Sequence, residues 1–577
     1  MLKVAIFILF FNAVNHFAWA KESKVCGQVK VMDGVLKLND NEKILVCGRG
    51  SEASGWHDIP LAQAELYLKS IMQNLGYLEP RFESAQGQLL IWLGPRTRIK
   101  RFKVSAPEVL HANKKRKVKN QPLTTDKLNE IEEWAKIQTQ SQGYACAETE
   151  VTAQVWDHTV LVKTDLKGKK KFGSIQVSEL SGLNPEVLKR YQPFQAGDWF
   201  DIRKTQIMAS RLLGDGLFQS AYFTTKCQGD VAELTLESSV GKPRIFGFGF
   251  GASTEELPFV DVSFKNTRLD NMASSYRMSI HASPREMSWT GNSELYLFRG
   301  WDKTYLAPHF RVAKEMESKW ETNSARAGVN IGQNWDWWDM RFNARWGPMI
   351  NYTKTLKGLG PADTTYPTME GALAITSHIY EYLVRDQYEG WVFYLNYRGQ
   401  NKGLGSQLDM NRYRSELKSL WNLGGFSPPQ FVLGTRIESI VVDANDINRD
   451  LNRDLLPIED RIFAGGDQNL RGFSRNSIDN AGFGYLNSLY LGFELRLIEE
   501  LPHKLQPFLL WDVMKLGNQR YTLDSPTFFS EGVGIRWASP FGTFRGSAAK
   551  GRIVDEDVST HIYKQGWVYF VSFGQEF

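Results

Sequence analysis

From residue 242 to the C-terminus, apolar and polar residues alternate one by one. Phe246, Phe248 and Phe250 are interleaved with Gly247, Gly249 and Gly251. Tyr276, Met278 and Ile280 are interleaved with Arg277, Ser279 and His281, and Ala325, Ala327, Val329 and Ile331 with Arg326, Gly328, Asn330 and Gly332. Met340, Phe342, Ala344 and Trp346 alternate with Arg341, Asn343, Arg345 and Gly347. A period of two places each set on its own face of a sheet. A sheet with one greasy and one polar face suits a soluble sandwich or the wall of a membrane barrel. Arginines on the polar face, with aromatics gathered at strand ends as at Trp335, Trp337 and Trp338, favour the barrel. Past the N-terminal leader, no segment reaches the roughly 18 apolar residues of a spanning helix. Without such a helix, only a closed sheet satisfies its backbone in lipid. At the strand length a bilayer requires, 242–577 accommodates roughly 16 strands of a transmembrane antiparallel β-barrel. The chain ends in the same rhythm, with Trp567, Tyr569, Val571 and Phe573, then Gln575 and a terminal Phe577.

Composition agrees with that class. Aromatics make up 13% of the chain, with 18 Trp, as expected for belts at two water–lipid boundaries. The net charge of +5 is slight for 577 residues and points to no nucleic-acid partner. Lys3, the apolar run Val4 to Phe11 and the small-x-small site Ala18-Trp19-Ala20 read as a signal peptide over 1–20, cut after Ala20. An exported chain meets an oxidising compartment, so its four cysteines are disulfide candidates. Cys26 with Cys47 would clip the first domain, and Cys146 with Cys227 would join two successive domains; spacing alone leaves three connectivities open. No pair has the C-x-x-C spacing of a metal site. No nucleophile elbow, H-E-x-x-H or phosphate loop occurs, so no catalytic residue, metal or cofactor is expected and the chain does not read as an enzyme.

Between the leader and the barrel lies a repeat. A helix from about Pro60 to Leu75, with Asp58 as cap and Leu61, Ala64, Leu68, Ile71 and Leu75 on one stripe, stops at Gly76 and precedes strands near 81–85 and 88–93. A second helix, about Thr125 to Ser141 with Leu128, Ile131 and Ala135 inward, stops at Gly143 before strands near 148–156 and 159–164. The third copy begins with a strand, Phe172 to Leu180. A short helix at Pro185 capped by Asn184 follows, then a helix over Asp201 to Leu213, Gly216, and strands over 220–226 and 231–240. Gly76, Gly143 and Gly216 recur about every 70 residues, the mark of tandem copies of one α/β module. The expected domains are 21–94, 95–169 and 170–241, followed by the barrel at 242–577. Open sheet edges in such modules can accept a strand from another chain.

Two further segments carry a resemblance. Arg461-Ile462-Phe463-Ala464-Gly465-Gly466-Asp467 runs into Leu470-Arg471-Gly472-Phe473, and Leu510-Trp511-Asp512-Val513-Met514 lies downstream. With the strand–helix–helix–strand–strand order of the repeats, these resemble the outer-membrane protein assembly superfamily of BamA, TamA and two-partner secretion transporters. The resemblance covers essentially the whole mature chain and implies POTRA domains followed by a 16-stranded barrel. It also implies that the Arg471-Gly472-Phe473 segment belongs to the sixth extracellular loop, folded back into the lumen. There Arg471 meets a wall motif of the form Phe-x-Asp-x-Gly; Asp512 is retained, while Leu510 and Met514 depart from the pattern. Three modules make the TamA branch the nearest. That branch implies an outer-membrane location with the POTRA domains in the periplasm, and no catalysis. It implies a TamB-like inner-membrane-anchored partner spanning the periplasm, contact with outer-membrane lipids, and autotransporters and other β-barrels as clients. A BamA-like general insertase and a two-partner-type secretion channel are the rival readings.

A barrel closes by pairing its first and last strands, here about Arg244–Gly251 and Gly566–Phe577. Glycines add no packing and lose entropy on ordering. A weak lateral seam is therefore expected at Phe246, Gly247, Gly249, Gly251, Gly574 and Phe577. The same glycines could instead serve only to relieve crowding or to curve the wall.

Overall fold

The computed structural model describes residues 22–48, 59–178, 180, 182–256, 258–297, 300, 303–383, 386–444, 447, 453–539, 542–554 and 563–573. The expected leader, the Asp58 cap, Gly574 and Phe577 lie outside these described residues. The chain forms two compact units, one up to Gly168 and one from Lys169 onward.

The first unit holds two small sheets. In one, the strands Ser23–Cys26, Val29–Val31, Gln88–Trp92 and Arg81–Ala85 lie side by side in that order. Helices Asp40–Cys47 and Leu61–Asn74 accompany this sheet. Ala64, Leu68 and Met72 are the buried stripe of the second helix, packed with Val29, Val31, Leu89 and Ile91. Gly76 stands at φ +88°, as a residue turning out of a helix should. The other sheet has the order Arg101–Val104, Thr159–Asp165, Glu148–Gln154. Its helix, Thr125–Gln140, is capped by the Thr124 side chain accepting from Lys127 N–H. Ile131, Trp134 and Ala135 face Val160 and Val162. Cys26 and Cys47 form a disulfide with Cα atoms 6.0 Å apart. Cys146 and Cys227 are each in a disulfide.

The second unit opens with a third small sheet, ordered Lys171–Val177, Val231–Val240, Phe218–Gln228, with the helix Ile202–Gly214 capped by Asp201. The short Pro185–Arg190 helix is of the 3-10 type, capped by Asn184. In all three sheets an early strand runs parallel to the last strand, which also closes an antiparallel hairpin. That shared topology is the physical content of the repeat.

The remainder is one 16-stranded antiparallel sheet in which every strand pairs with its sequence neighbour. The first strand is Arg244–Gly251 and the last is Tyr563–Phe573. Strand length runs from 8 residues in the first to 18 in the seventh, Met340–Lys357. The apolar sets face outward: Phe246, Phe248, Phe250, Met278, Ile280, Val329, Ile331 and Trp346 are all exposed. Trp337 and Trp338 stack at the turn between the sixth and seventh strands, a position suited to an interfacial belt. No helix among the described residues is long and apolar enough to cross a membrane. The expected fold, small α/β modules followed by a 16-stranded barrel, is the observed one.

The third module packs on the barrel turns at the end where the first strand begins. Arg211, on the helix Ile202–Gly214, reaches Asp336 at 2.7 Å and Glu381 at 2.6 Å. Glu381 sits on the short helix His378–Tyr382 between the eighth and ninth strands. Lys204 pairs with Asp339 at 2.7 Å, and Arg190 donates to the Met272 carbonyl at 2.6 Å. Burial works to raise the Glu381 carboxyl; the hydrogen bond and charge of Arg211, with the charge of Arg341, outweigh it and hold it below its ordinary value.

Candidate functional site: a loop anchored in the lumen and a partly paired seam

The connection from the eleventh strand, Phe431–Ala444, to the twelfth, Asn487–Leu497, enters from the opposite end and buries itself inside the barrel. Its turn depends on two glycines, Gly465 at φ +101° and Gly466 at φ +125°. A Cβ on Gly465 would stand 2.2 Å from the Ser474 carbonyl oxygen. Asn469 Oδ1 accepts from Gly465 N–H at 2.9 Å and from Leu470 N–H at 2.6 Å, and Gly466 N–H donates to the Phe473 carbonyl at 3.0 Å. The turn so formed aims Arg471 at the wall.

Arg471 and Asp512 are both 0% exposed. The guanidinium donates Nε to Asp512 Oδ2 at 3.0 Å and Nη2 to Oδ1 at 2.6 Å, and the Arg471 backbone N–H adds a third bond at 3.1 Å. This is the two-pronged match for which arginine is suited. Tyr490 also donates to Asp512, at 3.0 Å. It reaches over Gly492, where a Cβ would stand 2.3 Å from the Tyr490 hydroxyl. Gly492 is paired with Asp512 across the ladder, so a missing side chain on one strand makes room for the pair on the next.

The anchor is larger than the motif suggests. Glu494 on the twelfth strand accepts from Arg471 Nη1 at 2.6 Å and from Arg496 Nη2 at 2.8 Å, and it also pairs with Arg545. Two buried carboxylates thus face three guanidiniums. Taking such charges out of water is costly, and only dense hydrogen bonding offsets it. Sequence reasoning missed Glu494, although the alternation Leu489, Leu491, Phe493, Leu495 already turns it inward. It missed Gly551 as well. A Cβ on Gly472 would lie 2.5 Å from Gly551 N, and one on Gly551 would lie 2.5 Å from the Gly472 carbonyl. Gly472 N–H donates to Ser530 Oγ at 2.9 Å, and Phe473 meets Phe528 edge-on at 5.8 Å. Leu510, one departure from the family pattern, is buried against Phe508 and Ala549. Met514, the other, joins Leu470, Phe473 and Phe528 in the cluster beneath the loop.

A second anchor, of reversed polarity, holds the loop's base and was also missed. Here the loop supplies carboxylates and the wall supplies arginine. Arg398 donates to Asp460 at 3.0 Å and to Glu370 at 2.9 Å, and Tyr366 donates to Glu459 at 3.0 Å. Nothing in the local spacing marks Asp460, because its partner lies on the ninth strand, Gly390–Gln400.

At the seam, the described residues of the first and last strands meet only at a corner. Ser253 bridges Ser572, Thr254 N–H donates to the Val571 carbonyl at 2.9 Å, and Phe573 N–H donates to the Ala252 carbonyl at 3.1 Å. Among the described residues, neither Arg244–Gly251 nor 563–570 has a ladder partner on the seam side. Phe246, Phe248 and Phe250 are 79%, 74% and 72% exposed beside this edge. Gly247 and Gly251 face their partners on the second strand closely: a Cβ would stand 2.5 Å from Ser263 Oγ and 2.1 Å from the Phe259 ring. Gly249 has room, with Asp261 Cβ at 3.7 Å.

Comparison with known proteins gives a family. The Omp85 superfamily domain matches residues 252–563. Among solved structures, BamA from Haemophilus ducreyi lacking POTRA domains 1–3 is 14% identical, covering 79% of this chain and 94% of its own at a TM-score of 0.48. CdiB from Acinetobacter baumannii is 14% identical, covering 83% and 89% at 0.45. CdiB from Escherichia coli is also 14% identical, covering 89% and 96% at 0.44.

Proposed function

The chain belongs to the Omp85 superfamily, and on that premise we propose that it is an outer-membrane assembly and translocation factor whose seam parts to receive client strands. The observation that carries this reading is the seam itself, two strand edges that among the described residues meet only around Ser253 and Ser572. An unpaired edge presents a row of backbone donors and acceptors, the template on which another strand adds. Wall length supports the same place. The first strand has 8 residues, which at ~3.3 Å each and an ordinary barrel tilt span about 20 Å, less than the ~25 Å of a usual apolar band. Lipid beside the seam is therefore poorly matched, which lowers the cost of local rearrangement.

The finer assignment is to the TamA branch. Its support is three α/β modules ahead of the barrel. On this reading the modules stand in the periplasm, engage a TamB-like inner-membrane-anchored protein, and pass autotransporters and other β-barrels to the seam. A passive secretion pore is disfavoured by a loop anchored at both its base and its tip inside the lumen. Co-purification separates the branches: a long inner-membrane-anchored partner supports the TamA reading, and a set of outer-membrane lipoproteins supports a BamA-like one.

The seam is tested by locking it. Ala252 and Phe573 flank the Ser253–Ser572 bridge, within the Cα separation a disulfide spans. Cysteines at Ala252 and Phe573 should abolish insertion of client barrels when oxidised and restore it when reduced. Undiminished insertion by the oxidised protein contradicts lateral opening.

A further inference from the structure

The lumenal loop touches the wall leading up to the last strand and also the turn that follows the first. Its tip, Arg471-Gly472-Phe473, is bound to the twelfth to fifteenth strands through Asp512, Glu494, Ser530 and Gly551. A few residues away, the same loop grips the turn that follows the first strand. Glu255 on that turn is buried and accepts from Asp467 N–H at 2.9 Å through Oε1. Its Oε2 lies 3.4 Å from Arg475 Nη1. Arg475 Nε donates in turn to Glu317 at 2.9 Å, on the turn between the fifth and sixth strands, and Arg285 donates to Glu317 at 3.0 Å.

Gly466 shows how closely the parts are fitted. A Cβ there would stand 2.6 Å from Glu255 Oε1. Glu255 is also held rigidly to the seam, because Ser253 Oγ accepts the backbone N–H groups of Glu255 at 3.2 Å and Glu256 at 2.8 Å. Ser253 is the residue that bridges Ser572. One carboxylate therefore connects the anchored loop to the single corner at which the described seam is paired.

We propose that Glu255 is a latch: by joining the lumenal loop to the first-strand turn, it keeps the seam closed, and its release lets the first strand move away from the last. Glu255 is a positioning residue, acting through Ser253 on the strand pairing. The proposal rests on the reading of the seam as the opening site. A client strand arriving at the turn would compete for it, and the loop would stay in place through Arg471 while the seam parts.

The test uses the full-length chain in membranes with cysteines at Ala252 and Phe573, scored by the disulfide formed in a brief oxidising pulse. Glu255→Ala is expected to lower the yield several-fold, while the barrel keeps its folded, heat-modifiable gel mobility because Arg471 and Asp512 are untouched. Glu255→Gln retains an acceptor for Asp467 N–H and loses the charge facing Arg475; its yield should fall between the two. Being nearly isosteric, it also serves if the alanine variant does not fold. A yield in Glu255→Gln and Glu255→Ala equal to or above that of the parent overturns the latch. The two ideas fail separately. If the variants loosen the seam but locking it leaves client insertion intact, the latch stands and lateral opening falls. If they leave the seam unchanged while locking stops insertion, lateral opening stands and the latch falls.

Discussion

Arg471 carries the largest single energetic consequence at the residue scale. Replacing it with alanine leaves Asp512 buried without its partner and Glu494 short of one, and breaking a buried pair in this way costs about 3–5 kcal/mol. The temperature at which the barrel loses its compact gel mobility should fall clearly in Arg471→Ala. Lysine should recover little of it, since an ammonium cannot bind both oxygens of Asp512 in the fork geometry. The glycine contact gives a second, independent prediction. Gly551→Ala places a methyl against the Gly472 carbonyl and the Phe473 ring, and overpacking of this kind costs roughly 1–3 kcal/mol. Gly546→Ala on the same strand meets nothing within 4 Å and should leave the melting behaviour unchanged. The Arg471–Asp512 pairing was expected only because the segments that hold the two residues resemble a family pattern in which that arginine meets that carboxylate. Gly551 was not, since a glycine's reason is the backbone opposite it, and that backbone is 79 positions away in the chain, at Gly472.

At the scale of elements, the clasp between the third module and the barrel turns has a definite pH dependence. Glu381 titrates below its ordinary value of 4.5. A carboxyl whose folded value is depressed contributes stability above its unfolded value and loses it as pH falls through the folded one. Hydrogen-exchange protection of the helix Ile202–Gly214 should therefore hold from neutrality to about pH 4.5 and decline below it. In Glu381→Gln that decline should be blunted, and protection at neutral pH should already be reduced. Helix Leu61–Asn74 was readable from its apolar stripe, and its observed ends lie within a residue of the expected ones. Helix Asp40–Cys47 was overlooked although Asn39 and Glu42 form a capping box, because eight residues show too little of a stripe to stand out. The helix His378–Tyr382 was overlooked for a different reason: it is a single turn held by Arg211 from a distant module, so its stability is tertiary. The lumenal loop has little regular structure between Arg453 and Leu486, and its polar composition resembles that of an exposed loop; its burial follows from ion pairs to strands remote in sequence.

For the whole molecule, alternation with arginines on the polar face, aromatics at strand ends and no spanning helix past the leader pointed to the barrel, and the length of 242–577 pointed to its strand number. What alternation cannot register is how the cylinder ends meet, since pairing between the first and last strands depends on their relative stagger and on a turn of a few residues. That stagger leaves the first strand's edge open over Arg244–Gly251 among the described residues, beside three exposed phenylalanines. The most direct measurement is photo-crosslinking to a client barrel arrested during insertion, with a photoreactive residue placed at Phe248 on the first strand, at Tyr569 on the last, or at Ile331 on the far wall. Client addition at the seam predicts adducts from Phe248 and Tyr569 and none from Ile331. Equal adducts from all three positions, or none from Phe248, would contradict it.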